Sequence, residues 1–442
     1  MAAHVSNLKR CFETTPLNLI GARILQVGAG SVILYRILTE LHFAQFLYGP
    51  YGASIGSSTT FFGPYIGAVL DAIFYSSTGI YLLLALWGLG AIGLIAGRYP
   101  RLSALLALFG YLLIESRANI GDGGDNVLRL VLLYMVFLHP KLATPQQIKP
   151  GSSVFLHNLA VVAVYLQLMI LYFIAGTAKL QGEVWINGTA LYYVMHTDWF
   201  GPGQPWLRDL FKNPWIVTLG TYCAVLYQIG FPFMIFSRWQ LLWIAIGIAF
   251  HLGIAATMGL ITFSTILIAM ILFTIRDTQW IAVRDHLRRY IPRLTVYIDG
   301  YCSYCRATGR WLEFLDLFGS LKVESFRHTE NYKRFGISPK ELEEEMHVVT
   351  FRHDEMRVYR GFAAVQVIVR AVPFLWGLWP LAWALRQAGL GDPAYRWLAA
   401  RRLLAPDSQH CQSGSCAIVN ADARGGPERE FQPPSVSSSS KD

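Results

Sequence analysis

Two cysteines, Cys302 and Cys305, stand in the stretch "TVYIDGYCSYCRATG" at residues 295–309. A Cys-x-x-Cys pair set between strand-forming residues and the start of a helix is the arrangement that dithiol chemistry needs. A sulfur at a helix start faces unpaired backbone N–H groups, whose partial positive charge favours thiolate over thiol. Cys302 is therefore the expected attacking sulfur. Cys305, one turn further on, is in reach to resolve a mixed disulfide. The competing use of such a pair is half of a zinc site, which needs two more ligands. Cys411, Cys416 and His410 are the candidates, but a Cys-x4-Cys spacing beside a Gly-, Pro- and Ser-rich tail suits a metal poorly, and no metal is expected. The same two cysteines can form a second dithiol exchanging with the first, or can be two exposed tail cysteines. Cys11 and Cys223 read as a lone surface cysteine and a lone buried one.

A second set of reactive types lies in apolar surroundings: Arg23, Arg36, Glu115, Arg117, Asp125, Arg129, Lys179 and His251. Ionisable groups inside or beside membrane spans are costly, so they face a cavity or one another. Lys179 held there can lose its proton, because burial disfavours the charged form, and serve as a general base. Arg23, Arg36 and Arg129 read first as helix-joining ion pairs or snorkelling side chains. His251 reads as an interhelical hydrogen-bonding residue with Lys179, Arg117 and Asp125 as candidate members of a polar membrane site. "GDGGDN" offers Asp122 and Asp125 either to a cation or to a turn.

The elements that must position these groups fall into two parts. The chain has 442 residues, 54% hydrophobic, with 13 Trp, 22 Tyr and 26 Phe, too apolar for an ordinary soluble protein. Residues 1–276 carry 15 Lys/Arg and 9 Asp/Glu, and residues 277–442 carry 22 and 19. A membrane part is followed by a soluble part. The net charge of +9 comes without a basic helix or an aromatic-interleaved stripe, so nucleic acid is not an expected partner. Six cysteines are too few for a secreted disulfide framework. Lys9 and Arg10 precede Thr14, Thr15 and Pro16 and then an apolar run holding Arg23 and Arg36, so the first segment is expected to be retained.

Apolar stretches of helix length occur near 18–38, 74–97, 102–115, 127–140, 153–175, 215–237 and 240–275. The last is too long for one span, and Gly253, Gly259 and Thr262 mark a break, which predicts about eight spans. Lys9/Arg10, Arg98/Arg101, Lys141/Lys149, Arg238 and the cluster from Arg276 to Arg293 then share one side. The positive-inside rule makes that side, both termini and the soluble part cytoplasmic, with a bacterial inner membrane as the expected bilayer. Beyond 290, "LTVYI" reads as a strand and "RATGRWLEFLDLF" as a helix with Trp311, Leu312, Phe314, Leu315 and Leu317 on its apolar face. "LKVESFR" is a second strand, "HVVTFRH" and "MRVYRG" a hairpin, and "FAAVQVIVRAV" a closing helix. That is the order of a small α/β thioredoxin-like domain. The expected domains are 1–290 in the membrane, 291–405 as the redox domain, and 406–442 as a disordered tail with a Cys pair.

"YIDGYCSYCR", with "MHVVTFRHDEMRVYRGFAAVQVIVRAVP" and "AYRWLAARR", resembles the DCC family of thiol-disulfide oxidoreductases over residues 294–405. Asp299, Cys302 and Cys305 fall on its motif, with Gly300 and Arg306 beside them, which implies a thioredoxin-like fold and dithiol exchange. Thioredoxins place a cis-proline opposite the pair, where this chain has Met346. The segments "LYFIAGTAKLQGEVWINGTALYYVM" and "IAFHLGIAATMGLITFS" are similar to the horizontally transferred transmembrane domain shared with vitamin K-dependent gamma-carboxylases, over residues 15–290. Lys179 matches the lysine that deprotonates vitamin K hydroquinone there, whereas "RANIGDGGDN" lacks that family's histidine.

The expected function is an integral-membrane thiol-disulfide oxidoreductase that acts on a thiol or disulfide protein or small molecule. A quinone or vitamin K-like hydroquinone is its candidate cofactor, and its own redox disulfide the working group. The alternative is a carboxylase-like or peptide-processing membrane enzyme with a regulatory redox domain. A transporter or scaffold ranks below both.

Overall fold

The computed structural model describes residues 12–50, 52–53, 56–117, 121–139, 148–198, 205–316, 319–352 and 355–400. Lys9, Arg10, Cys11, Lys141, Leu317, His410, Cys411 and Cys416, named above, lie outside the described residues. The chain forms two compact units, Met1–Ile281 and Ala282–Asp442.

The first unit is helical. Its main helices are α1 (Leu19–Glu40), α2 (Ser77–Ala96), α3 (Pro100–Arg117), α4 (Gly123–Met135), α5 (Ser152–Lys179), α6 (Pro214–Met234), α7 (Gln240–Met258) and α8 (Ile261–Phe273). Each of the seven apolar stretches read from sequence overlaps one of them, except the run at 240–275, which holds two. Their ends follow local chemistry. The Ser76 side chain accepts the Gly79 N–H to start α2, and Asn213 caps α6 ahead of Pro214 at its first turn. The long run at 240–275 breaks at Gly259, whose φ of 70° is a backbone state that L side chains rarely adopt.

Five segments among the described residues are long and apolar enough to cross a membrane: Leu19–Tyr48, Ser77–Ala96, Ser152–Lys179, Pro214–Met234 and Gln240–Met258. A sixth arises if Ile261–Phe273 and Asp277–Arg288, bent by 95° to each other, count as one span. Fewer crossings are therefore supported than the eight expected. The difference lies in α3 and α4: α3 carries Arg101, Glu115 and Arg117, and α4 has only 13 residues, short of the roughly 20 that a bilayer core needs. Both pack into the same core as the long helices, where Trp87, Tyr111, Leu128 and Leu132 are buried together. Close approach uses small residues: a Cβ at Gly90 would press on the Ala107 backbone, so α2 and α3 touch nearly backbone to backbone.

The second unit is built on four strands: β1 (Arg293–Ile298), β2 (Leu321–Ser325), β3 (His347–Arg352) and β4 (Glu355–Arg360). The sheet order is β2-β1-β3-β4, with β1 parallel to β2 and the other pairings antiparallel. A helix, α9 (Ser303–Leu315), provides the crossover between β1 and β2, as a parallel pair requires. α10 (Gly361–Ala371) follows the hairpin, and α11 (Gly391–Ala400) is the last described helix. Alternation along β1 and β3 sends Leu294, Val296 and Val348 into one core with Leu312 and Ile368. Tyr297 and Val349 enter another core with Phe326, Tyr332 and Leu342.

Leu312 on α9 is buried, as its pattern predicts, but Trp311 and Phe314 are 64% and 66% exposed. They lie three residues apart on the outer side of the helix, and the apolar face is narrower than the sequence suggests.

Candidate functional site

The end of β1 delivers Asp299, Gly300 and Tyr301 into the turn that starts α9. Cys302 is the N-cap of that helix, and its sulfur accepts the Cys305 N–H at 3.3 Å. The first helical hydrogen bond follows, from the Arg306 N–H to the Cys302 carbonyl at 3.0 Å. The Arg306 side chain itself points out, exposed. Gly300 is buried against β2, where a Cβ would collide with the Ser325 side chain. The turn can thus pass close under the strand only with glycine there.

The two sulfurs differ in access. Cys302 is 0% exposed, whereas Cys305 is half-buried and lines a cavity of about 150 Å³. The cavity is walled by Tyr297, Ile298 and Asp299 of the strand end, by Tyr304, Thr308 and Leu312 of α9, by Leu342 and Met346, by Val365 of α10, and by Tyr395, Leu398 and Ala399 of α11. Its lining is overwhelmingly apolar. Met346 is held there by its N–H, which donates to the Tyr395 hydroxyl at 2.8 Å.

Asp299 does not reach for a sulfur but for the turn. Its Oδ1 accepts the Tyr301 N–H at 3.0 Å, and Arg327 donates to both carboxylate oxygens at 3.2 Å each. Arg327 also donates to Glu343 at 2.8 Å and lies over the rings of Tyr301 and Phe326. Arg327 was not visible as a site residue in the sequence; a lone arginine 28 positions from Asp299 carries no spacing signal. Among the described residues no group of three His, Cys, Asp or Glu stands close enough to hold a metal ion.

The residues singled out in the first unit do not come together as one site. Lys179 ends α5, donates to the Ala175 carbonyl of its own last turn at 3.2 Å, and lies 4.9 Å from the centre of the Trp185 ring. These contacts suit a charged ammonium at a helix C-terminus. His251 is buried in α7, with Nε2 2.6 Å from the Tyr172 hydroxyl of α5 and the rings of Phe250 and Phe263 beside it. Tyr172 and Lys179 are two turns apart on the same helix, about 10 Å along its axis. Arg117 is buried over the Tyr75 ring and donates to the Gly56 carbonyl at 3.4 Å.

Asp125 has a different role. Its Oδ1 pairs with Arg36 at 2.5 Å, and its Oδ2 accepts the Asp122 N–H at 2.8 Å in a capping box that starts α4. Arg36 also meets Glu40 at 3.0 Å, and Arg129 meets Glu115 at 3.1 Å, so these arginines join helices. Arg23 donates to the carbonyls of Leu94 and Ile95. Asp277, missed in the sequence, accepts the Leu19 and Ile20 N–H groups at 2.8 and 2.9 Å and closes the start of α1 from the far end of the unit.

With this geometry in place, the class of the second unit is defined by similarity. Residues 296–406 match the family described as DCC1-like thiol-disulfide oxidoreductase, so the chain carries a domain of that family at its C-terminal end. The chain is 24% identical to the uncharacterized protein YitO of Bacillus subtilis (strain 168) over 210 residues, 45% of this chain and 67% of that protein. It is also 24% identical to the sporulation-delaying protein SdpB of the same organism over 238 residues, 50% of this chain and 71% of that one. No solved structure matches.

Proposed function

We propose that this protein is a membrane-anchored thiol-disulfide oxidoreductase that works through Cys302 and Cys305. The observation that carries the reading is the shared helix start, where the Cys305 N–H points at the Cys302 sulfur at 3.3 Å. A donor so placed stabilises a sulfur anion more than a neutral thiol. The sheet order β2-β1-β3-β4 supports a thioredoxin-like fold, in keeping with the motif resemblance.

Position divides the work between the sulfurs. An incoming thiolate meets the oxidised pair at Cys305, the sulfur that opens on the cavity. An S–S bond forms to Cys305, the Cys302–Cys305 bond breaks, and Cys302 leaves as a thiolate facing the Cys305 N–H. A stabilised leaving thiolate departs faster. A second thiol of the substrate then attacks the substrate sulfur and frees Cys305, so the substrate loses two electrons and two protons and the pair gains them. Spacing alone assigns the encounter to Cys302; the burial of Cys302 moves it to Cys305.

The test uses full-length Cys302→Ser and Cys305→Ser proteins in native membranes, incubated with glutathione disulfide and weighed intact. The Cys302→Ser protein is expected to keep a stable glutathione adduct on Cys305, and Cys305→Ser to acquire little. Adducts in the Cys305→Ser protein alone return the encounter to Cys302. If the parent protein does not react at either cysteine, the exchange reading fails. The positive charges from Arg276 to Arg293 favour a cytoplasmic redox unit. A membrane-impermeant maleimide should accordingly label Cys305 in inverted vesicles and not in intact cells.

A second reading gives the membrane unit a quinone or vitamin K-like hydroquinone as electron partner. It draws on the buried Tyr172–His251 pair, where His251 Nδ1 has no hydrogen-bond partner among the described residues. Addition of a short-chain quinone to membranes should then reoxidise the cysteine pair, and His251→Ala should slow it. An unchanged rate in that variant removes the reading.

A further inference from the structure

We propose that the stretch from Phe374 to Trp383 seats the second unit on an anionic phospholipid surface, with its aromatic side chains among the headgroups and Arg370 and Arg386 on the phosphates. The proposal rests on the membrane reading above and adds a peripheral lipid contact made by the unit that carries the cysteine pair.

The segment is fixed in place by its own bonds. After α10, a 3₁₀ turn over Pro373–Leu378 runs into a helix, Trp379–Gln387. Leu375 packs against the core that holds Ile368 and Val372. The Trp376 indole N–H donates to the Arg370 carbonyl at 3.0 Å, the Gln366 side chain donates to the Ala382 carbonyl at 2.9 Å, and Arg386 donates to the Gln366 side chain at 2.6 Å. These bonds hold the backbone and leave the large side chains outside. Phe374, Trp376, Leu378, Leu381 and Trp383 are each more than half exposed. A soluble surface carries single apolar residues freely, but a run of them on a fixed element marks a place where something binds.

Charge decides what binds. Residues 361–391 contain Arg370 and Arg386 and no Asp or Glu. Both arginines are exposed, and the Arg370 guanidinium lies 5.1 Å from the centre of the Trp379 ring. Tryptophan joins an apolar body to a polar N–H and collects at the membrane–water boundary. Arginines beside it are drawn to anionic headgroups, which would repel a carboxylate. The other exposed aromatic pair, Trp311 and Phe314 on α9, lacks this character, because the exposed Glu313 stands between them in sequence. A bilayer that holds the first unit is also within reach. The chain from Phe273, the end of α8, to Arg293, the start of β1, spans at most about 70 Å even when fully extended.

The experiment uses the full chain in phosphatidylcholine vesicles, with and without phosphatidylglycerol, doped with a phospholipid that bears a diazirine near its glycerol backbone. After illumination and tryptic digestion, the peptide 371–386 should carry lipid label at least tenfold above the α9 peptide that begins at Trp311. Its label should rise at least threefold when phosphatidylglycerol is present. Replacing Trp376→Ser and Trp383→Ser together should lower it at least fivefold while peptides from Ser152–Lys179 keep theirs. The contrast between the two peptides of the parent protein stands whether or not that variant folds. Label in Ser152–Lys179 but not in 371–386 overturns the lipid seat alone, and a protein or a second copy then covers the face. Label absent from both overturns the membrane reading beneath it. Equal label on the two aromatic faces, or no rise with phosphatidylglycerol, also overturns the proposal, because charge then does not choose the partner.

Discussion

Arg327 closes its guanidinium on both carboxylate oxygens of Asp299, at 3.2 Å each, one turn of chain ahead of the cysteine pair. Asp299 in turn fixes the Tyr301 N–H. The ion pair thus holds the backbone that aims Cys302 at its helix. Arg327→Gln leaves Asp299, 8% exposed, without its partner. The expected cost is about 2 kcal/mol, between a surface and a fully buried pair, which makes local opening roughly 30-fold easier. Hydrogen exchange of the peptide around residues 299–305 reads it. Arg327→Lys keeps the charge but loses the fork, and should fall between the two. Equal exchange in all three proteins would make the pair dispensable.

Acid should loosen the same unit. Burial pushes the Glu324 carboxyl up, but hydrogen bonds from Lys322, Asn331 and Thr329 outweigh it and hold the group below its ordinary value. A carboxylate held low in the folded state contributes stability above its unfolded pKa. That contribution is lost as pH falls through the folded value, so the window opens at about pH 4.5 and extends downward. Denaturant midpoints of the parent protein between pH 6 and pH 3 should show the fall, and Glu324→Gln should flatten it. A parallel fall in the variant would place the acid sensitivity elsewhere.

The Arg36–Asp125 pair should dominate the polar energetics of the helical unit. Both side chains are largely buried and 2.5 Å apart. Asp125→Asn is expected to cost about 3 kcal/mol, because the charge of Arg36 loses a partner. That is roughly 6–12 °C in the melting temperature of the detergent-solubilised protein. Combining Arg36→Met with Asp125→Leu should recover about half, since the buried guanidinium is then gone; Glu40 without its partner and the lost capping box keep the rest. A double variant no better than the single one would contradict the assignment.

Lys179→Arg tests whether that position needs to lose a proton. An arginine can keep both the carbonyl contact at Ala175 and the stacking on Trp185, but it stays charged. Thiol exchange and quinone-dependent reoxidation should remain within about twofold of the parent, since only an effect near tenfold, about 1.4 kcal/mol, would mark a base.

The sequence carried the local features and missed the distant ones. The helix start at Cys302, the hairpin and the break at Gly259 are written in neighbouring residues, so spacing was enough to find them. Exposure is different. Cys302 and Cys305 have the same type and the same motif, and only the walls brought in from α10 and α11 decide which sulfur opens on the cavity. Arg327 and Asp277 escaped for a related reason: Asp277 serves backbone groups 258 and 257 positions away, and no periodicity encodes such a contact. The span count read apolar length without the charges within it. Glu115 and Arg129 pair with each other between α3 and α4, which makes those helices members of the bundle whether or not they cross.

The double duty of Asp125 sets an order for biogenesis. Arg36 leaves the ribosome 89 residues before the carboxylate that pairs with it. At about 5–20 residues per second, the first helix therefore waits roughly 4–18 s with that partner still unsynthesised. During the wait, Arg36 can meet Glu40 in its own helix and Tyr48 just beyond, contacts that are local and early. The first helix can thus be shielded by its own neighbours before the fourth arrives to lock it. A nascent chain lacking Glu40 would emerge with Arg36 met locally by Tyr48 alone, so quality control during synthesis, rather than the finished fold, is where its loss should first be felt.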